Sequence, residues 1–230
     1  MKEGDHEPAW IPIALAEDIA SSSASPVLVN ANEFVLWRGA GGEVRVWEDR
    51  CPHRGMRLSL GFVRGEELVC LYHGWRWGAD AACAAIPAHP DLKPPKSLCV
   101  RSFGVREADG IVWMAMGDAV GEPPSAPPGA VPVASLLIER PLSAISARFR
   151  QRGTMMTAHA ASLVLTLALQ PLDVARTLAH IVASCGSDPG SVPSPETKTE
   201  NVARDDVSLR CAALAAAEDL RMTIEAKDLR

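Results

Sequence analysis

Two short motifs set the terms for this 230-residue chain: Cys51-Pro-His53-Arg-Gly-Met and, with sixteen residues between His53 and Cys70, Cys70-Leu-Tyr-His73-Gly-Trp. Each offers one thiolate and one imidazole, so two loops folded side by side would present two sulfurs and two nitrogens. A structural zinc site is one owner of such a set, although zinc sites commonly keep like ligands together in sequence. The other owner is a binuclear iron–sulfur cluster in which one iron takes both thiolates and the other both imidazoles, which suits the interleaving of Cys with His. Pro52 stiffens the first loop, while Gly55 and Gly74 permit close backbone approach and N–H donation to bridging sulfides. Neutral imidazoles in place of two thiolates raise the potential to about −150 to +300 mV from roughly −400 mV. Such a centre accepts and passes single electrons.

The sequence around these motifs divides into two unlike halves. All six Trp and the only Tyr precede residue 114, and no aromatic follows Phe149. Between the halves, Gly121-Glu-Pro-Pro-Ser-Ala-Pro-Pro-Gly-Ala-Val-Pro132 carries prolines that block helix and ladder alike. It predicts a linker over 121–135 between domains at 1–120 and 136–230. In the first half, β-rich runs at 27–29, 33–37, 44–47, 68–72, 75–77, 100–106 and 111–116 alternate with turn signals. Gly39-Ala-Gly-Gly42 and Asp109-Gly110 read as hairpin turns. The expectation is an all-β domain of short antiparallel strands. Residues 162–169, 172–184 and 208–229 are rich in Ala and Leu at helical spacing, so the second half is expected to be mostly helical and the whole α+β.

Charge narrows the function classes. Lys and Arg number 23 against 28 Asp and Glu, a net charge of −5, with no basic stripe of the kind that tracks nucleic acid. The apolar stretch 11–16 runs into Glu17 and Asp18 and does not read as a secretory signal. The apolar run 163–169 is far short of the roughly 20 residues that span a bilayer. A cytoplasmic protein with neither nucleic-acid nor membrane partners is expected, in which cysteines serve as ligands or buried small groups. Cys83 and Cys99 are expected in the core, His89 in solvent.

The stretch from Trp10-Ile-Pro-Ile-Ala-Leu-Ala, through Cys51-Pro-His-Arg-Gly-Met-Arg-Leu-Ser-Leu-Gly61 and Cys70-Leu-Tyr-His-Gly-Trp75, to Gly110-Ile-Val-Trp-Met114 resembles the Rieske domain of Rieske non-haem iron oxygenases. The likeness is greatest to their O-demethylase and monooxygenase branch and covers about half the chain. It implies a Rieske 2Fe-2S cluster on Cys51, His53, Cys70 and His73. It also implies an oxidoreductase, fed by a flavin-dependent reductase or ferredoxin, that hydroxylates or demethylates an aromatic small molecule with oxygen, as a monooxygenase or dioxygenase. A homotrimer is implied as well.

Members of that family hold a mononuclear Fe(II) by two His and one carboxylate. The counterpart here of their helix motif is Gln170-Pro-Leu-Asp173-Val-Ala-Arg176-Thr-Leu-Ala-His180. Asp173 matches the acid that carries electrons between subunits, and His180 falls near a ligand position. Arg176 stands at the first ligand position, where a guanidinium has no lone pair to give. Asp205 or Asp206 is the candidate carboxylate, in a region with Pro195-Glu-Thr. The second half therefore reads as a shortened catalytic domain with an incomplete iron site. A second reading follows from that gap: a Rieske electron-transfer protein that has lost the mononuclear iron.

Overall fold

The computed structural model describes residues 9–117, 121–149, 153–185 and 202–226. The first half holds β1 (Ala9–Leu15), β2 (Ser23–Val29), β3 (Asn32–Arg38), β4 (Val44–Glu48), β5 (Phe62–Arg64), β6 (Glu67–Val69), β7 (Arg76–Gly78), β8 (Cys83–Ala85), β9 (Ser102–Phe103), β10 (Val105–Ala108) and β11 (Ile111–Met116). They form three antiparallel sheets, ordered β2-β3-β4-β9, β5-β6-β7-β8 and β1-β11-β10. Both expected hairpins form. Residues 39–43 join β3 to β4, and Asp109-Gly110, at φ 52° and 76°, makes the two-residue turn that matches strand twist between β10 and β11. Trp37, Trp47, Leu58, Leu68 and Trp77 are buried in one core together with Cys51 and Cys70, so the first half concentrates its aromatic burial beneath the two motifs.

The second half holds β12 (Val131–Ile138), α1 (Leu142–Phe149), β13 (Met155–Ala160), β14 (Leu163–Pro171), β15 (Thr177–Cys185) and α2 (Val202–Glu225). Its strands make one antiparallel sheet in the order β12-β15-β14-β13. The α+β class and the all-β first half hold, and the expected last helix lies in α2. The helical reading of 162–169 and 172–184 is corrected: these residues are β14, a turn and β15. β12 also starts inside the segment 121–135 read as linker.

The physical reason is burial on both faces. Leu165, Leu167 and Leu169 of β14, with Ala179, Ile181 and Ala183 of β15, share a core with Ile145 of α1 and Ala213, Ala217 and Ile224 of α2. The alternate residues Ala168 and Val182 pack instead with Leu15, Ile111 and Trp113 of the first half. A strand buried on both sides carries no polar alternation, so its apolar run cannot be told from a buried helix by period. The sheet is thus sandwiched between its own helices and β1 and β11. Among the described residues no helix is long and apolar enough to cross a membrane.

Candidate metal centre

The two motifs fold into matching loops. In the first, Cys51 N–H donates to Met56 O at 2.8 Å and Gly55 N–H to Cys51 O at 2.8 Å. In the second, Cys70 N–H donates to Trp75 O at 2.9 Å and Gly74 N–H to Cys70 O at 3.0 Å. Gly55 and Gly74 sit at φ +75° and +69°, the left-handed region where a side chain is strained. The β5-β6-β7-β8 sheet carries the second loop between β6 and β7. The first is held at its base by Asp49, which is buried and accepts from Ser59 N–H at 2.7 Å and Ser59 Oγ–H at 2.6 Å. Sequence reasoning missed this clasp, because one Asp and one Ser ten residues apart form no recognised pattern.

Cys51 and Cys70 are buried side by side at the floor of the loops, each 2% exposed. His53 and His73 stand at the rim, with ring centroids 4.8 Å apart. Trp75 stacks on His53 at 4.3 Å with 9° between planes, and Tyr72 lies against His73 at 3.8 Å. Burial, then the neighbouring Cys70 thiol, push the Cys51 thiol up to about 11, opposed by the His53 backbone N–H and the Trp77 indole. Without a metal this thiol keeps its proton at neutral pH, so metal binding must release it. Burial, with His73 and Arg54 beside it, lowers the pKa of His53. A neutral imidazole is the form that ligates.

Among the described residues no three His, Cys, Asp or Glu side chains converge as they would on a single metal ion. The four here are two pairs, sulfurs below and imidazoles above. That donor set fits a 2Fe-2S cluster, one iron per pair, better than a zinc ion that draws four ligands to one point.

The residues proposed for a second iron are placed differently. His180 is 1% exposed in the middle of β15, and both ring nitrogens are engaged. Gln170 Nε2–H donates to Leu28 O at 2.8 Å, which turns Gln170 Oε1 toward His180 Nε2 at 2.7 Å. An amide oxygen only accepts, so His180 Nε2 carries the proton and Nδ1 accepts from Ser135 Oγ–H at 2.8 Å. Burial pushes the His180 pKa down to about 3. Asp206 lies on α2, 3.3 Å from Arg210. The structure does not bring His180 and Asp206 into a three-donor set, and the chain as described does not fit a mononuclear iron.

Asp173 and Arg176 lie on the turn between β14 and β15 rather than on a helix. Asp173 Oδ1 accepts from the N–H groups of Ala175 and Arg176, and Oδ2 from the Arg176 guanidinium at 2.9 and 2.6 Å. That guanidinium, then the backbone donors, lower the Asp173 pKa. The side chain of Asp205 and the segment Pro195-Glu-Thr lie outside the described residues. Of the remaining cysteines, Cys83 is buried as expected, whereas Cys99 is exposed, because only an isolated bridge to Ala82 holds it at the sheet margin. His89 is in solvent.

Residues 9–103 match the family described as the Rieske [2Fe-2S] domain. The oxidoreductase NdmD of Pseudomonas putida is 43% identical over 115 residues, 50% of this chain and 20% of that protein. The vanillate O-demethylase oxygenase subunit of Pseudomonas sp. strain HR199 is 37% identical over 110 residues, 48% of this chain and 30% of that protein. The chain thus spans less than a third of the length of these relatives. In fold, NdmA of Pseudomonas putida CBB5 superposes with a TM-score of 0.67 at 18% identity, over 96% of this chain and 82% of that one. Apo dicamba monooxygenase gives 0.67 at 19% identity, over 94% and 85%. The structural likeness therefore extends through the second half, where the family match in sequence does not reach.

Proposed function

We propose, from a first half that matches the Rieske [2Fe-2S] domain family over residues 9–103, that this chain is part of an oxygenase component, the part at which electrons enter. The observation that carries the reading is the layering of the centre. Buried Cys51 and Cys70 lie beneath His53 and His73, whose rings reach the surface. When bound, a 2Fe-2S cluster supplies reversible one-electron transfer. The chain's own part is to exclude water from the sulfurs and to present the imidazole edge to a donor. Exposed Leu71 and Tyr72 flank that edge and offer apolar surface for docking.

The donor in this reading is a flavin-dependent reductase or a ferredoxin, in the cytoplasm. The electrons serve oxygen-dependent hydroxylation or demethylation of an aromatic small molecule. Relatives named as a vanillate O-demethylase and a 3-chlorobenzoate-3,4-dioxygenase oxygenase subunit favour this over an electron carrier with no oxygenase role. In this reading the oxygen-activating iron is not held by the described residues, and a trimer would set each cluster edge against a neighbouring subunit. The two-domain division proposed from sequence, at 1–120 and 136–230, is kept with the start of the second moved to Val131, where β12 begins, and with the second packed on the first through Ala168 and Val182.

The test is substrate-dependent reoxidation. Holoprotein reduced through a flavin-dependent NADH reductase is mixed with oxygen, with and without vanillate and a panel of methoxylated and methylated aromatics. Faster return of the oxidised spectrum with one of them, together with formaldehyde or a hydroxylated product, is expected. Reoxidation at one rate throughout, with no product, would overturn the oxygenase reading.

A further inference from the structure

Two edge strands bound each of the four sheets, and all but one of these edges carry a device that discourages a further strand. β1, β2 and β12 contain Pro12, Pro26 and Pro132, and β1 and β12 also bulge just after their prolines. β10 carries Arg106 and Glu107 within four residues, while β5, β8 and β9 are only two or three residues long. Proline, bulges, charge and shortness are the usual guards against edge-to-edge pairing. β13 has none of them. It reads Met155-Met156-Thr157-Ala158-His159-Ala160, without a formal charge, and pairs with β14 in unbroken register. No strand lies on its other side among the described residues.

Leu169 N–H donates to Thr154 O at 2.6 Å, and hydrogen-bonded pairs alternate along an antiparallel ladder. Met156, Ala158 and Ala160 therefore bond to β14, while Met155, Thr157 and His159 turn their backbone N–H and C=O groups outward. Thr157 and His159 are also exposed. We propose that β13 pairs with β13 of a second copy of this chain, antiparallel about a two-fold axis at Thr157, and joins two four-stranded sheets into one. The edge is complementary to itself, because its outward groups repeat evenly on either side of Thr157. Thr157 then faces its own equivalent, Met155 of each copy faces His159 of the other, and each pair exchanges two backbone hydrogen bonds. A Thr–Thr pair favours the contact, and no like charges meet across it. The strand also lacks the charge that would select an oppositely charged partner. Such a contact closes on two copies, whereas a trimer needs a head-to-tail one, so β13 pairing doubles whatever assembly the rest of the surface makes.

The test is the mass of the full-length holoprotein by sedimentation velocity, at about 1–100 μM, the range suited to a small contact. Thr157→Pro removes one outward N–H and leaves the bonds to β14 in place, as proline on an edge strand does. Wild type is expected at twice the mass of Thr157→Pro. Thr157→Lys and Thr157→Glu each set like charges against each other on the axis, and each alone should fall to the Thr157→Pro mass. Mixed in equal amounts, the Lys and Glu variants should regain the wild-type mass, which only pairing between copies at this position explains. Should Thr157→Pro lose the far-UV circular dichroism of wild type, the Lys and Glu variants, which keep every backbone N–H, decide the matter. One mass shared by wild type and all variants, or a Lys–Glu mixture that stays at half the wild-type mass, would overturn the inference.

Discussion

Gly55 and Gly74 occupy the same place in two separate loops. Each stands four residues after a buried Cys, at φ +75° and +69°, and each donates its N–H to that cysteine's carbonyl, at 2.8 and 3.0 Å. The two loops are one backbone solution used twice, differing in whether the His comes two or three residues after the Cys. Both imidazoles nevertheless meet at the rim, with ring centroids 4.8 Å apart.

Gly74→Ala is expected to cost about 1–2 kcal/mol, the penalty of a left-handed L-residue. Its Cβ would also lie 3.3 Å from Pro87 Cγ on a ring that cannot swing away. Gly55→Ala carries the same backbone penalty but meets only the flexible Arg50 side chain at 3.4 Å. Iron content per chain should therefore fall in both and further in Gly74→Ala, read by metal analysis after identical purification.

Gly61 stands where two chain segments nearly touch. A Cβ there would lie 2.2 Å from the Val69 carbonyl oxygen, immediately before Cys70. Backbone has to move to admit it, and the movement is passed directly to a ligand. Gly61→Ala is expected to lose most cluster absorbance while far-UV circular dichroism stays close to wild type; full loading would contradict the close approach.

The Asp49–Ser59 clasp ties the two ends of the first ligand loop. Asp49→Ala strands two buried donors and is expected to destabilise the protein by about 2–3 kcal/mol, whereas Ser59→Ala removes one bond and costs about half as much. Chemical denaturation of both variants checks the order.

His180 makes stability sensitive to acid. Its folded-state pKa is about 3 against an ordinary 6.5, so below pH 6.5 the unfolded chain takes up a proton that the folded chain refuses. Its contribution is intact above pH 6.5 and is lost by at most about 1.4 kcal/mol per unit as pH falls toward 3. The slope of unfolding free energy against pH between 6.5 and 4 should be shallower in His180→Phe than in wild type. Equal slopes would place the acid sensitivity elsewhere.

The first half was legible because its signals are local. Alternating strands, a two-residue Asp109-Gly110 turn and Cys-His motifs each sit within a few residues, and short-range chemistry decides them. β1, β5, β8, β12 and β13 were missed. The second half misled because β14 and β15 are buried on both faces, which erases the alternation that marks a strand, and Ala and Leu then speak for helix. His180 illustrates the consequence for the site. Read as helical, it pointed toward a metal; as part of β15 it completes a hydrogen-bond chain from Ser135 through Gln170 to Leu28, which ties the second sheet to the first half. No local pattern shows partners so far apart in sequence.

The most direct measurement is an iron and acid-labile sulfide assay on anaerobically purified protein, with the reduced-state EPR spectrum, for wild type, Cys51→Ser and His73→Ala. The account expects two irons and two sulfides per described centre with a Rieske-type signal in wild type, and loss of that signal in both variants. Zinc without sulfide in a colourless wild-type protein, or a Rieske signal that survives either substitution, would contradict it.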